Sequence, residues 1–570
     1  MGFVIYKKVE AIEWCRGVLN AMRKGEGFLV YVTGCNRLLT SNCFIKVLIL
    51  IQVLPARFPY PYVSSNPHSS STCKISISIC QTRHLSPIPL IDLTEDVENI
   101  HQVNNENLIV GISNEYLDHG DQVVVCQTCR AKLWRNESIR GKEKGKTDYS
   151  LCCGYGKVQL PDLKNAPPTY ERMFRNMDSK SKHFMKNIRR YNSMFSFLSM
   201  GGKIDSSINR GNAPYIFRLG GQNYHSIGSL LPAKGSEPKF SQLYIYDTDN
   251  EITNRQRCFR GEKDQSTSTD SDIIEDIKVM LDSNNVLVRS YRMVRDTFKK
   301  NPEVDMKLRL IERREQDGTY NLPTASEVAA LIIGDISDSI EKRDIIVQTK
   351  NGCLQRISEL HPSYLPLQYP LLFPYGDDGY SVDILHRGVS LTNNSKRAKC
   401  TMREYFAYRI QDKDYSFSLI LNSRRLFQQF MVDAYTMMET ERMYYIRRQQ
   451  HVLRCESYEN LRNQKAQGTT DISNVGQRVI LPSSFTGGAR YMLQNYLDAM
   501  SLCKWFGYPY FFITFTCNPK WPEIKRFLKD TSLQPEDRPD ILCRLFKIKL
   551  DAFIKDLREN QIFGKVQACN

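Results

Sequence analysis

The chain has 570 residues, 78 Lys and Arg against 62 Asp and Glu, and a formal net charge of +16, with 41% hydrophobic and 25% charged residues. That balance excludes a disordered polyelectrolyte and, at roughly 150 residues per domain, fits three or four folded domains. The basic surplus favours DNA, RNA or an anionic membrane surface without choosing between them, and a generically basic protein with no nucleic-acid role would carry it too.

The opening MGFVIYKKVEAIEWCRGVLN has charges inside its apolar stretch and shows no secretory pattern, so the 17 Cys are expected to be reduced and intracellular. Gly2 begins like a myristoylation signal, but Tyr6 stands where Ser or Thr is wanted. FIKVLILIQVLP (44–55) is too short to span a bilayer, holds Lys46 and ends at Pro55, and reads as a buried strand or short helix. The Ser- and Pro-rich text that follows lacks helical period, and residues 1–105 are taken as a poorly defined segment.

From residue 106 the texture changes. DQVVVCQTCRAKLW (121–134) predicts a strand and a Cys-x-x-Cys turn, and SLCCGYGKVQL (150–160) a second Cys pair and a strand, together a zinc-ribbon-like module over 106–165. An α+β region follows over 166–285. In it 168–200 reads as helix, FSQLYIYDTDNEITNR (240–255) as a strand, a turn and a helix start, and 271–285 as an amphipathic helix capped by Ser271. A second α+β region, 286–395, has a hairpin predicted through Asn351-Gly352 and ends in HPSYLPLQYPLLFPYGDDGY, irregular but packed. Helices are predicted at 401–411 and 423–454, the longer one lined by Leu426, Phe430, Val432, Ala434, Met437, Met438 and Tyr445. The last part, 476–570, reads as strand, Gly turn, helix, strand (YPYFFITFT), loop and helix. The fold class is α+β, multi-domain.

Several groups could carry chemistry. Cys126, Cys129, Cys152 and Cys153 offer the soft ligands of a structural zinc, although the adjacent second pair strains simultaneous ligation and His119 or another side chain could replace one member; a pair of buried thiols inside a small β module is the alternative. GKEKGKT (141–147) has three residues between its glycines where a phosphate loop needs four, so no ATP site is assigned. Arg424, Arg425, Arg447 and Arg448 could track phosphates, or simply form a solvated helix face. Tyr435, Tyr444 and Tyr445 between them could stack bases or belong to the core. Gly487-Gly488 with Arg490 precede a helix whose N-terminus could attract phosphate, or form a plain turn. In FFITFTCNPKWPEI (511–524), Phe511, Ile513, Phe515 and Cys517 alternate as core, whereas Thr514, Thr516 and Asn518 face the other way, ahead of Lys520 and Trp521.

That last stretch, with LPSSFTGGARYMLQNYLDAMSLCKWFGYPY before it, resembles the helicase-like N-terminal domain of Helitron transposases, and further segments across about 120–570 resemble the same protein type. The resemblance implies rolling-circle initiators fused to a helicase, which nick DNA with a tyrosine, keep a 5′ phosphotyrosine link and use a metal held by a His-hydrophobic-His motif. It makes 511–518 the first strand of a nuclease-type α/β sheet, with Thr514, Thr516 and Asn518 as one wall of the site. The nine His, at 68, 84, 101, 119, 183, 225, 361, 386 and 451, include no His-x-His, and no Tyr follows Tyr510. The expectation is therefore a truncated Helitron-type protein with an incomplete HUH-nuclease-like domain over 396–570. It would bind DNA, single-stranded by preference, through residues including Arg490, Lys520 and Trp521, with a structural zinc, no catalytic residues, no membrane partner and a nuclear location. The competing expectation is part of an active nicking enzyme and helicase, whose divalent metal belongs to the full-length family.

Overall fold

The computed structural model describes residues 46–53, 76–79, 117–138, 149–205, 218–258, 268–302, 306–311, 329–333, 345–348, 354–389, 398–450, 479–507, 511–562 and 564–569. In chain order these are β1 (Lys46–Val53), β2 (Ser76–Ile79), β3 (Val124–Val125), β4 (Lys132–Leu133), α1 (Pro168–Arg175), α2 (Ser179–Phe195), β5 (Ser199–Asp205), β6 (Arg218–Ile227), α3 (Glu251–Cys258), α4 (Ser268–Asn284) and α5 (Val286–Lys300). There follow β7 (Met306–Leu310), β8 (Ala329–Ile333), β9 (Ile345–Gln348), β10 (Gln355–Arg356), α6 (Tyr364–Gln368), α7 (Met402–Arg409), α8 (Leu419–Asn422) and α9 (Arg425–Arg448). The last elements are α10 (Ala489–Phe506), β11 (Phe511–Thr516), α11 (Pro522–Leu528), α12 (Pro539–Lys555) and β12 (Val566–Cys569). The mixture bears out the α+β class.

Local chemistry sets many of the boundaries. Asp178 caps α2 by accepting from the Ser181 amide at 2.9 Å. Asn285 caps α5 by accepting from the amides of Leu287 and Val288, and Thr401 with Glu404 forms a capping box on α7. Each such cap is worth about 1 kcal/mol.

Among the described residues the apolar side chains form two cores. The larger gathers α2, α4, α5, the 364–373 segment and the buried side of α9, through residues such as Phe184, Ile277, Val288, Leu371 and Phe430. Charge inside it is compensated: Glu251 meets Arg255 at 2.6 Å and Arg292 at 2.7 Å, and both guanidinium groups lie over the Tyr244 ring. The 361–373 stretch is buried throughout, as its Pro and aromatic content predicts, and is pinned by the Asn192 side chain donating to the Gln368 carbonyl at 2.9 Å. The smaller core lies under β11. There Ile513 and Phe515 meet Ile541, Leu545, Phe546 and Phe553 of α12, with Phe515 stacked on Phe553 at 5.6 Å.

β11 is an inner strand of an antiparallel sheet ordered β12-β1-β11-β2, pairing Lys46 with Thr516 on one side and Ile79 with Phe511 on the other. β1 and β2 thus flank β11 on both sides. Within the 44–55 run, Lys46–Val53 is a strand rather than a helix.

Other expectations are corrected. The 240–244 stretch is a 3-10 turn, not a strand: Ser241, Leu243 and Tyr244 are buried on a helical spacing and not on alternate residues. Ser271 does not cap its helix, which begins three residues earlier at Ser268; the hydroxyl instead accepts from Gln256 Nε2 at 2.9 Å. Residues 345–348 and 355–356 do not pair as a hairpin, since β9 joins β7 and β10 joins β6. The Asn351-Gly352 turn, the GKEKGKT stretch and Arg454 lie outside the described residues. Residues 158–160 and 479–482 carry no strand.

Candidate functional site

β3 and β4 form a short antiparallel ladder whose connection is a tight knuckle. The Cys126 amide donates to the Ala131 carbonyl and the Arg130 amide to the Cys126 carbonyl, both at 2.9 Å, with Arg130 in the left-handed region at φ 61°. A second turn, over 151–157, brings in the other pair. Gly154, Tyr155 and Gly156 all have positive φ, and a Cβ on Gly156 would lie 3.0 Å from the Thr128 methyl. These two close backbone turns let Cys126, Cys129, Cys152 and Cys153 converge, with all four sulfurs within 4.8 Å of one another.

Two sulfur pairs, Cys126–Cys153 and Cys152–Cys153, are 3.8 Å apart. A tetrahedral zinc with Zn–S bonds of about 2.3 Å has sulfur–sulfur edges of about 3.8 Å. The adjacent pair therefore does not prevent convergence, and the quartet could hold a metal ion such as zinc. Its electrostatics point the same way. The Cys153 thiol is pulled far down by hydrogen bonds from Cys129 and Cys152, aided by the Gly156 amide at 3.2 Å. Hydrogen bonding to Cys129 and Cys153, with burial, pushes Cys152 up. A cation held by the four sulfurs would displace their thiol protons.

His119 does not join this quartet. Its amide donates to Glu523 Oε1 at 2.9 Å, and Asn136 Nδ2 lies 2.7 Å from its Nδ1. Burial, then the Lys549 charge, lowers its pKa to about 4. His119 is thereby part of a seam between the Cys module and the segment around β11. Arg526 holds Asp118 and Asp121 at 2.8 Å, Arg544 holds Glu137 at 2.6 Å, and Lys549 holds Glu523 at 2.8 Å. Trp134, 1% exposed, enters the smaller core and donates its indole N–H to the Gly120 carbonyl at 3.1 Å. Sequence separations of about four hundred residues hid the acidic partners of Arg526 and Arg544 from sequence reasoning.

The residues expected to meet DNA divide. Trp521 is 4% exposed, stacks against Phe515 at 6.3 Å and is covered by Lys549, so its faces are closed to a base. Arg424 donates to the Ser532 carbonyl at 2.9 Å and lies 3.6 Å from Asp537. Lys520 is exposed, but Asn518 is engaged in its own corner, accepting from the Lys520 amide at 2.9 Å. Thr516 is half-buried, and the Thr514 side chain lies outside the described residues. Arg425, Arg447 and Arg448 are exposed, and so are Tyr444 and Tyr445 at 60% and 63%, whereas Tyr435 is half-buried. The guanidinium of Arg448 lies 5.7 Å over the Tyr444 ring.

Arg442 donates to the Ser484 carbonyl at 2.7 Å, and Gln450 bonds both backbone groups of Ile480. These ties bring the 480–485 segment, and with it Gly487-Gly488 and half-buried Arg490 at the start of α10, to the last turns of α9. Farther along α10, Trp505 is 81% exposed.

Among the described residues, no helix is long and apolar enough to cross a membrane. Residues 405–570 match the family model of the Helitron helicase-like domain at the N-terminus. No curated protein matches the chain.

Proposed function

We propose that this chain, whose residues 405–570 carry the Helitron helicase-like domain, holds single-stranded DNA on the surface formed by the end of α9 and the start of α10. The setting would be rolling-circle transposition in the nucleus, with the four cysteines holding a structural zinc. The observation that carries this reading is the pair Tyr444 and Tyr445, 60% and 63% exposed on a helix whose next turn adds Arg447 and Arg448. Rings this exposed offer a face on which a strand of unpaired bases can stack as arginines meet its phosphates. The antiparallel sheet around β11, with α12 on it, is compatible with the nuclease-like fold implied by the resemblance. The 570 residues contain no His-x-His pair, so the chemical step of nicking is not assigned to them.

The test is fluorescence anisotropy of a labelled oligo-dT against salt. Affinity should fall linearly on a log–log plot, and Arg447→Ala with Arg448→Ala should lower the slope by about 1.4 at about 0.7 per phosphate. Replacing both tyrosines by Ala should weaken binding by about 5- to 150-fold for each base unstacked, at about 1–3 kcal/mol. Undetectable or salt-independent binding refutes the proposal. A covalent DNA adduct formed with Mg²⁺ or Mn²⁺ would replace it with the nicking-enzyme reading.

A further inference from the structure

We propose that His386, Cys400 and Glu404 form a second metal site, for a divalent cation of the zinc class, separate from the four cysteines. Their ligand atoms all lie within 4.8 Å of one another. The backbone builds this convergence. Leu385 and Lys399 form an antiparallel bridge, closed by the Cys400 amide on the Ile384 carbonyl at 2.8 Å and the His386 amide on the Ala398 carbonyl at 2.9 Å. His386 and Cys400 thus flank one bridge, and Glu404 returns to them from the first turn of α7, where its Oε2 is 3.2 Å from His386 Nε2.

The donor set selects the cation. A thiol sulfur, an imidazole nitrogen and a carboxylate oxygen suit borderline ions such as Zn²⁺ or Co²⁺, whereas Mg²⁺ and Ca²⁺ demand oxygen alone. Three protein ligands leave a fourth tetrahedral position for water. Glu404, with 39% of its side chain exposed, opens the cluster to solvent, while Cys400 is 2% exposed.

A simple capping role explains part of the cluster, because Glu404 Oε2 also accepts from the Thr401 amide at 2.8 Å and its hydroxyl at 2.9 Å. Those bonds and the His386 contact converge on Oε2, and the cap requires neither a histidine at 386 nor a cysteine at 400. On binding, the Cys400 thiol gives its proton to solvent and its sulfur electron pair to the metal. The site would clamp the 384–386 segment to α7. The next residue reaches the turn that carries Cys152 and Cys153, since the Arg387 amide donates to the Lys157 carbonyl at 2.8 Å.

Cobalt titration of the full chain, followed by absorbance and chelator competition, tests the assignment. Wild type should take two equivalents. His386→Ala and Cys400→Ser should each take one, with the four-sulfur charge-transfer band of the other centre retained. Cys126→Ser with Cys129→Ser should leave one equivalent, with charge transfer from one sulfur ligand instead of four. Far-UV circular dichroism shows which variants keep their fold, and Glu404→Gln, weakening the second equivalent at least tenfold, serves if the other two do not. One equivalent in wild type, or a second equivalent indifferent to all three substitutions, overturns the proposal.

Discussion

Glu137→Gln should unlock the Cys module from the segment that carries β11. Glu137 takes two bonds from Arg544, both at 2.6 Å, and a third from the Trp134 amide at 2.9 Å. The two side chains are 6% and 15% exposed, so solvent replaces little of what is lost. Removing one partner of a buried pair costs about 3–5 kcal/mol. Arg544 keeps the Lys132 carbonyl at 2.9 Å and the Trp134 ring at 5.0 Å, and Gln retains one acceptor, which reduces the expected cost to about 2 kcal/mol. Global unfolding of a chain with two cores is not a two-state measurement, so the assay is native-state hydrogen exchange. Peptides covering 124–137 and 539–555 should lose protection together by about 30-fold, the equivalent of 2 kcal/mol, while those covering α2 and α5 stay unchanged. Arg544→Met should couple to Glu137→Gln by about 1–2 kcal/mol in a double-mutant cycle. Loss confined to one side of the seam, or coupling under about 0.5 kcal/mol, would refute the docking argument.

Acid should open the same seam. The pKa of His119 is lowered to about 4, so between about 6.5 and 4 the unfolded chain binds a proton that the folded chain refuses; the contribution is fully present above pH 6.5 and is lost as pH falls, by about 2–3 kcal/mol, and His119→Gln should abolish it in pH-dependent exchange. Cys153→Ser should lose zinc binding at the quartet, read by a chromophoric chelator, with exchange increasing across 117–138. Trp521→Ala should destabilise by about 3–5 kcal/mol, read as protease sensitivity of 511–557, with oligo-dT affinity little changed wherever the fold survives.

Short-range signals were the readable ones. The Cys-x-x-Cys knuckle and the helical spacing of α9 rest on residues close along the backbone, and the structure keeps them. Exposure was less readable. Tyr445 fits the helical stripe of Leu426 and Phe430 by spacing, yet it is 63% exposed, because packing partners cover only part of so long a helix. Trp521 sits in a polar-looking Asn-Pro-Lys-Trp corner, but the corner folds its ring back onto Phe515. The trio of His386, Cys400 and Glu404 follows no motif spacing; a β-bridge and a helix start bring it together, and neither pairing is written locally.

The Cys module gains significance from where its last strand sends consecutive side chains. Strand alternation directs Ala131 and Leu133 into the larger core, while Trp134, one residue beyond β4, enters the smaller. Leu133 and Trp134 are each 1% exposed, so neither direction is tolerant of a shift. A slip of one residue would exchange their faces, placing an indole in the leucine's site and leaving Arg544 without the ring it covers. The knuckle from Cys126 to Ala131 sets that register, and the sulfurs at its ends decide whether the knuckle holds. A metal at the quartet would therefore act beyond its own few residues: by fixing the register of β4 it would hold the two cores to one another, and its removal should loosen the sheet domain through Trp134 although no cysteine of the quartet belongs to that core.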